Sequence, residues 1–399
     1  MSRAGSVKKD PTTGGYFFVV DISRPGEPRK QLKRRFPTYR EARKALTKVV
    51  STVDEGSFIV PSKQTLRDFV EGTWLPEVQS QLRPSTLHSY SRNLRLHVLP
   101  VLGDRPLQAL TGGMLTKLYN ELLVSGVKDA GKLIDGKPRG LSVRSVRYLH
   151  TILGAALQSA LEHDLLTKNP AKLAKPPKAS AIADGKERLK VWTSQELSTF
   201  LAAERPDRHH ATWHLLAMTG MRRGEALGLG WKNVDLEAGK LTIRRTLVDV
   251  EDRNDDEPVW SDPKTAKGNR TIELDAATVA VLKALRAEQA RERLLFGPGY
   301  REHDLVLCWP DGRPYHPERV SRSFQARVRK HRLPMISVHG LRHTWATLAL
   351  EAGVHPKVVQ ERLGHANISI TLDIYSHVTS TIHNDAAELV AALINGGSA

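Results

Sequence analysis

Alternating hydrophobic and polar positions at the start of the chain predict a small β-sheet followed by a helix. Residues 15–22 are rich in aromatic and β-branched side chains, and residues 30–36 form a second such run after a proline–glycine turn. Thr38, with a glutamate three residues later, has the spacing of a capping box, which predicts a helix over residues 39–50. We therefore expect a β-sheet-plus-helix domain over residues 1–60.

Further along, the apolar positions recur every three to four residues, which is the period of a helix buried on one face. Thr65 and Pro84 are helix-start signals, and two longer helices are predicted over residues 113–124 and 142–163. The last of these carries an apolar stripe of five residues: Val146, Leu149, Ile152, Leu153 and Leu157. The pattern predicts an all-helical domain over residues 64–175.

A proline- and lysine-rich segment then leads into a region where helical and strand patterns are mixed. Thr193 opens a predicted helix, and residues 241–244 and 271–274 alternate as strands. We expect one mixed α/β domain over residues 188–380, followed by an amphipathic tail helix over residues 381–399. The predicted fold class is α+β, mainly α and multidomain.

The charge balance narrows the class of partner. The 399 residues include 60 Lys and Arg against 43 Asp and Glu, a net charge of +17. Such an excess favours a polyanionic partner such as a nucleic acid, because each phosphate that the protein neutralises releases condensed counterions. Five basic residues in or beside the second predicted strand either line a DNA groove or form a solvated hairpin: Arg29, Lys30, Lys33, Arg34 and Arg35.

Several classes of protein are disfavoured by what the sequence lacks. No run of about 18 apolar residues occurs, and the N-terminus has no signal-peptide pattern, so we expect a cytoplasmic protein without a membrane span. The single cysteine, Cys308, excludes an internal disulfide and a multi-cysteine zinc site. We expect neither a metal nor a cofactor, and no Gly-x-x-x-x-Gly-Lys phosphate-binding loop is present.

A first candidate site lies in residues 219–227. Gly220 ends one predicted helix, and Arg222 stands at the start of the next, where its guanidinium and the free backbone N–H groups can bind a phosphate. Glu225 lies on the same helix face and is placed to hold that guanidinium. An ordinary surface ion pair would have the same pattern.

Two later segments add titratable and cationic residues. His339 and Arg342 share a helix face, which places an imidazole beside a permanent cation. His365 follows a helix-ending glycine, and Tyr375 lies in the next short predicted helix. Taken singly, each has a common structural explanation, such as a helix-surface histidine or a half-buried packing tyrosine.

In combination, the three segments resemble the tyrosine recombinase (phage integrase) family. Its signature is an arginine in Thr-Gly-x-Arg, then His-x-x-Arg, Leu-Gly-His and a nearby tyrosine, and all four parts occur here in order. Lys264 matches the family's lysine in a β-hairpin turn, with Lys267 as a rival. The likeness covers residues 188–380 by motif. Upstream, residues 64–175 resemble the core-site DNA-binding domain, and residues 1–60 the arm-type DNA-binding domain, of the larger three-domain integrases.

The resemblance implies a site-specific DNA recombinase that integrates or excises phage or mobile-element DNA through a 3′-phosphotyrosyl intermediate. Tyr375 is the implied nucleophile, and Arg222 and Arg342 are implied to stabilise charge on the non-bridging phosphate oxygens. The resemblance also implies supporting roles: His339 as base, Lys264 as proton donor to the leaving 5′-oxygen, His365 as a hydrogen-bonding partner of the phosphate, and Glu225 as support for Arg222.

The implied partners are double-stranded DNA attachment sites, further copies of the chain in a homotetramer on DNA, a DNA-bending host factor and an excisionase. We hypothesise that the tail at residues 384–394 packs on a neighbouring subunit, with packing inside its own subunit as the alternative. The same motifs are compatible with three other functions: a Xer-like resolvase of DNA dimers, a type IB topoisomerase and a DNA-binding regulator without activity. The N-terminal 60 residues favour integration over dimer resolution.

Overall fold

The structure is a computed structural model of the chain. It describes residues 5–23, 29–55, 58–126, 140–180, 190–248, 259–261, 269–365, 367–369 and 371–372. The chain divides into two compact units: residues 1–82 with 89–185, and residues 83–88 with 186–399. Among the described helices, none combines the length and apolarity that a bilayer crossing requires. The tail helix predicted over residues 381–399 lies outside the described residues, and the three-domain boundaries stay a prediction.

The first unit begins with a three-stranded antiparallel sheet in the order β1–β2–β3. Its elements are β1 (Lys8–Lys9), β2 (Tyr16–Asp21), β3 (Gln31–Phe36) and the helix α1 (Tyr39–Asp54). Thr38 caps α1 as predicted, by accepting a hydrogen bond from the backbone N–H of Glu41, although the helix extends beyond residue 50. Phe18 and Val20 are buried against α1, so this helix covers one face of the sheet.

Residues 66–126 and 140–173 are mainly helical. The helices are α2 (Leu66–Phe69), α3 (Leu75–Val78), α4 (Pro84–Asn93), α5 (Leu99–Leu102), α6 (Gly112–Ser125) and α7 (Val143–Glu162), with short turns of π-helix at Val70–Trp74 and Leu94–Val98 and of 3₁₀-helix at Leu107–Ala109 and Pro170–Leu173. The predicted starts at Thr65 and Pro84 are confirmed, and Thr65 forms a capping box with Asp68. All five residues of the predicted apolar stripe on α7 are fully buried.

The second unit joins helices to small sheets. Its described helices are α8 (Ser194–Glu204), α9 (His210–Thr219), α10 (Arg223–Leu227), α11 (Ala276–Phe296), α12 (Pro317–Lys330), α13 (Val338–Glu351) and α14 (Pro356–Leu363), with 3₁₀ turns at Trp231–Asn233 and Gly297–Gly299. Its described strands are β4 (Val234–Asp235), β5 (Lys240–Ile243), β6 (Thr246–Val248), β7 (Val259–Ser261) and β8 (Arg270–Glu273).

The strands of this unit form two antiparallel sheets, one in the order β4–β5–β8 and one of β6 with β7. The two predicted strands correspond to β5 and β8, each displaced by one residue. The β6–β7 pair was not predicted, because runs of three residues are too short to show a clear alternation.

An aromatic core fixes the helices of the second unit. The Trp192 and Phe200 ring centroids lie 5.1 Å apart, and Phe324 lies 5.4 Å from both Phe200 and Trp213. These side chains come from α8, α9, α12 and the segment before α8, so the core ties together elements distant in sequence. Helices with small sheets confirm the predicted fold class, α+β and mainly α.

Candidate active site

The turn between α9 and α10 places the first candidate residue. Gly220 ends α9 in the left-handed conformation, with φ of 64°, as the sequence predicted. A Cβ atom at Gly220 would lie 2.6 Å from Cδ2 of Leu363, so glycine is needed for both its backbone and its close contact. Arg222 follows in extended conformation immediately before α10, which confirms that a helix begins beside it.

Glu225 holds Arg222 in place from inside the protein. One carboxylate oxygen accepts a hydrogen bond from Nη1 of Arg222 at 2.6 Å, and the other from its backbone N–H at 2.9 Å. Glu225 is only 3% exposed, so the alternative of an ordinary surface ion pair is wrong. Burial acts to raise the pKa of Glu225, but hydrogen bonds and charges from Arg270 and Arg222 outweigh burial and keep that pKa below its ordinary value.

Arg342 lies deeper than Arg222, on α13, and is 2% exposed. Its Nη1 donates to the carbonyl of Gly220 at 2.8 Å, and its Nη2 donates to the carbonyl of Leu363 at 2.6 Å. Burial, and then repulsion by Arg222, lower the pKa of Arg342 below its ordinary value. A guanidinium nevertheless keeps its charge at neutral pH, so the site holds a fixed and poorly solvated cation.

His365 follows the end of α14, where Gly364 has a left-handed φ of 66°. The imidazole is buried, and its Nδ1 lies 2.9 Å from the hydroxyl oxygen of Thr371. Burial, together with the charges of Arg342 and Arg222, lowers the pKa of His365 to about 3. The neutral ring therefore has one nitrogen held by a hydroxyl, which fixes its orientation beside the arginines.

His339 lies in the first turn of α13, one turn before Arg342, and is exposed on one side. Its ring lies edge-on to that of His343, with centroids 4.7 Å apart. Partial burial, the neighbouring His343 and the guanidinium groups of Arg342 and Arg222 lower the pKa of His339 to about 4. The imidazole is thus neutral at neutral pH and can accept a proton.

Three candidate residues fall outside the described part of the chain. Lys264 and Lys267 lie in sequence between the end of β7 at Ser261 and the start of β8, so the choice between them stays a prediction. Tyr375 follows the last described residues, 371–372, and its role as nucleophile also stays a prediction. The structure therefore brings together Arg222, Glu225, His339, Arg342 and His365 from three separate segments.

Family models match both units. Residues 190–381 match the phage integrase family, and residues 65–123 match the N-terminal SAM-like domain of phage integrases. The chain belongs to the tyrosine recombinase (phage integrase) family. The first of these matches spans every member of the arginine, histidine and tyrosine set singled out from the sequence.

Two sequence relatives align with more than 90% of the recombinase chain. A XerC-like tyrosine recombinase of Caldanaerobacter subterraneus subsp. tengcongensis is 26% identical over 388 residues, covering 94% of this chain and 95% of the relative. An integrase of Streptomyces ambofaciens is 25% identical over 372 residues, covering 91% and 89%. In fold, the recombinase resembles the Tn1549 transposon integrase in complex with transposon right end DNA, with a TM-score of 0.62, 21% identity and coverage of 82% and 100%.

Arg270 is a residue of the recombinase site that sequence reasoning missed. Its Nη2 and Nη1 donate to the two carboxylate oxygens of Glu225 at 2.9 and 3.2 Å. A signal was available, because Arg270 and Ile272 share one face of strand β8, and Ile272 is fully buried. An arginine on the buried face of a strand requires a carboxylate or carbonyl partner.

The basic residues predicted to bind DNA at the N-terminus do not share one face. Lys33 and Arg35 lie opposite Val19 and Phe17 of β2, on the face away from α1, whereas Arg34 lies opposite the buried Phe18. The Nζ of Lys33 lies 4.5 Å from the Phe17 ring centroid. Two of the five are paired with acidic groups, Arg35 with Asp10 and Arg29 with Asp21, and all five, including Lys30, are exposed.

The histidines of the site predict how stability changes with pH. The pKa values of His339 and His365 in the folded protein lie below the ordinary value of about 6.5. Below that pH the unfolded chain binds more protons than the folded one. Their contribution to stability is therefore complete above about pH 6.5 and is lost as pH falls to about 4 for His339 and about 3 for His365. We expect the urea midpoint of the DNA-free protein to fall through this window, and less steeply in His365→Asn. An equal slope in both proteins would contradict the assignment.

Within the described ranges, no group of three or more His, Cys, Asp and Glu side chains is placed to hold a metal ion. Two nearby histidines, His214 of α9 and His209 immediately before it, have other contacts. Nε2 of His214 lies 3.1 Å from the hydroxyl of Thr278, and the ring of His209 stacks on Trp213. Their surroundings are those of packing residues. The described side chains at the site supply guanidinium, imidazole and carboxylate groups.

Proposed function

We propose that this recombinase is an integrase that inserts and excises a phage or other mobile element by cutting and rejoining double-stranded DNA at specific sites. The observation that carries the proposal is a pair of guanidinium groups, those of Arg222 and Arg342, which are both hydrogen-bonded to the end of α14. The imidazoles of His339 and His365 flank this pair. Such a cluster stabilises an anion whose charge grows during reaction. Family membership supplies the reaction, DNA cleavage and rejoining.

In the proposed mechanism, the guanidinium groups of Arg222 and Arg342 bind the non-bridging oxygens of the scissile phosphodiester. Both are fixed before substrate arrives, so they need no reorganisation as negative charge develops in the transition state. His365, oriented by the hydroxyl of Thr371, donates a further hydrogen bond to the phosphate. Together these groups supply the positive field in which the phosphorus is attacked.

The phenol oxygen of Tyr375 then attacks phosphorus, and the bond from phosphorus to the 5′-oxygen breaks. The phenol proton passes to neutral His339, whose pKa rises when an anionic phosphate occupies the site. Lys264 gives a proton to the departing 5′-oxygen, with Lys267 as the alternative donor. The product is a 3′-phosphotyrosyl link and a free 5′-hydroxyl. A second 5′-hydroxyl reverses these steps, so rejoining needs no external energy source.

The N-terminal sheet is proposed to bind arm-type DNA sites through the face away from α1. Lys33 lies on this face, so we expect Lys33→Ala to weaken arm-site binding and to reduce the slope of log K against log salt by about 0.9. Lys48→Ala is the matched control, because Lys48 is exposed on α1, which covers the opposite face. Measurement is by fluorescence anisotropy at several salt concentrations, and equal losses in the two variants would refute this placement.

We propose that four copies of the chain assemble on DNA. A DNA-bending host factor and an excisionase are proposed as further partners. Apolar residues recur at helical spacing in the tail at residues 384–394, and we propose that they pack on a neighbouring subunit rather than within their own. Deleting residues 384–399 should then leave single-site binding intact while lowering synapsis and recombination in gel-shift and product assays. Unchanged synapsis in the deleted protein would favour packing within one subunit.

One assay separates the proposed function from its alternatives. The protein is incubated with a suicide substrate carrying its attachment site, with the same DNA lacking the site, and with supercoiled plasmid. We expect a covalent adduct on the site-bearing DNA alone. Relaxation of any plasmid would indicate a topoisomerase, and no adduct on a verified site would indicate a regulator. Recombination confined to directly repeated sites in one molecule would indicate a Xer-like resolvase.

A further inference from the structure

Three arginines converge on the C-terminal end of α14. The carbonyl of Arg362 accepts a hydrogen bond from Nε of Arg270 at 2.6 Å. The carbonyl of Leu363 accepts one from Nη2 of Arg342 at 2.6 Å. The carbonyl of Gly364 accepts one from Nη2 of Arg222 at 3.2 Å. The last carbonyls of a helix have no partner within it and carry partial negative charge. One helix end thus aligns three guanidinium groups through three consecutive residues.

Arg270 connects this helix end to Glu225. Its Nε contacts α14 while its two Nη atoms bind both carboxylate oxygens, and its side chain is 7% exposed. Arg222 and Arg342 bond to the same helix end, but Arg222 retains an exposed side. Because all three guanidinium nitrogens of Arg270 donate to Arg362 or Glu225, Arg270 is placed to brace the site rather than to bind DNA.

We propose that Arg270 is a positioning residue for DNA cleavage, acting through Glu225 and α14 on Arg222. This inference rests on the proposed function. By sharing the charge of Glu225, Arg270 prevents that carboxylate from neutralising Arg222 and leaves Arg222 attractive to a phosphate. By bonding the carbonyl of Arg362, it also holds the helix end whose Gly364 carbonyl accepts from Arg222.

Lysine cannot take the same role. A guanidinium presents five N–H donors in a planar fork, whereas an ammonium is a single point of charge. At position 270 the fork reaches a carboxylate on one side and a helix carbonyl on the other. Arg270→Lys should therefore keep the charge of the site and lose its geometry, which separates a positioning role from a general need for positive charge.

The test compares Arg270→Gln and Arg270→Lys with a matched variant, Arg327→Gln. Arg327 also binds a buried carboxylate of the same unit, with its Nη1 2.8 Å from Glu204. Neither Glu204 nor its second acidic partner, Asp207, is among the groups that hold Arg222. Cleavage rates are measured in single turnover on saturating suicide substrate, together with DNA affinity and circular dichroism.

We expect both Arg270 variants to cleave about 100-fold more slowly, with DNA affinity nearly unchanged, because small misplacement of a catalytic group costs about this much. Arg327→Gln should lose stability but keep its rate.

A double variant supplies a readout that a merely structural role would not affect. If Arg270 acts through Arg222, then Arg222→Ala with Arg270→Gln should cleave no more slowly than Arg222→Ala alone. Multiplied losses, an unchanged rate in Arg270→Gln and Arg270→Lys, or an equal loss in Arg327→Gln would overturn the inference while leaving the proposed function intact. Absence of any adduct from the unaltered protein on a verified site would instead overturn both. Should Arg270→Gln fail to fold, Arg270→Lys carries the comparison.

Discussion

Arg342→Ala is expected to slow covalent-adduct formation about 1,000-fold, at the upper end of what removal of one transition-state donor costs. The guanidinium is buried and held by the carbonyls of Gly220 and Leu363, so it meets the phosphate already oriented. A water molecule in the space left by this side chain would carry no positive charge, so it would not replace the guanidinium. The measurement is single-turnover cleavage of a suicide substrate at saturating protein.

Stability must be followed in the same variant, because Arg342 also ties the turn after α9 to the end of α14. Its loss leaves two buried carbonyls without this donor, at a cost of about 1–3 kcal/mol each. Arg342→Lys is the matched control, since lysine retains the positive charge but lacks the planar fork that reaches both carbonyls. A folded Arg342→Ala protein that cleaves within about tenfold of the unaltered rate would contradict a direct role in phosphate binding.

Glu225→Gln is expected to lower the free energy of unfolding of the second unit by about 3–5 kcal/mol, the usual cost of removing one partner of a buried ion pair. Glutamine keeps the shape of the side chain but leaves Arg222 and Arg270 facing each other without the carboxylate that each now binds. The readout is urea unfolding followed by tryptophan fluorescence, because six of the seven tryptophans belong to this unit.

The control for Glu225→Gln is Glu237→Gln. Glu237 also pairs with a cation, Lys283, at 2.8 Å, but its side chain is 87% exposed and the pair is screened by solvent. We expect little change in this control. Because the pKa of Glu225 is lowered in the folded protein, its contribution is present above the ordinary carboxyl pKa and is lost as pH falls below it. Equal stability of the two variants would refute the role given to Glu225.

Local signals in the sequence predicted much of the fold. The caps at Thr38, Thr65 and Thr193 marked helix starts that the structure confirms, because capping depends on residues three positions apart. The helix end at Gly220 was predictable from the preference of glycine for that position, and the pairing of Arg222 with Glu225 from their three-residue spacing. These features are set by short-range geometry, which a sequence displays directly.

Contacts between distant segments were beyond such reasoning. Arg270 and Glu225 are 45 positions apart, and their pairing depends on how β8 packs against α10 and α14. The sequence also gave no indication that three consecutive carbonyls at the end of α14 would each accept from a different arginine. Nor could it tell which basic residues of β3 share a face, because that requires the register with β2.

The central claim is that a phenol oxygen attacks a phosphate held between Arg222 and Arg342. It is tested most directly by trapping the adduct on a suicide substrate, digesting the protein and DNA, and sequencing the modified peptide by mass spectrometry. We expect the nucleotide on Tyr375, joined through its 3′-phosphate, and no adduct from Tyr375→Phe. A nucleotide attached to another residue, or joined through a 5′-phosphate, would contradict the claim.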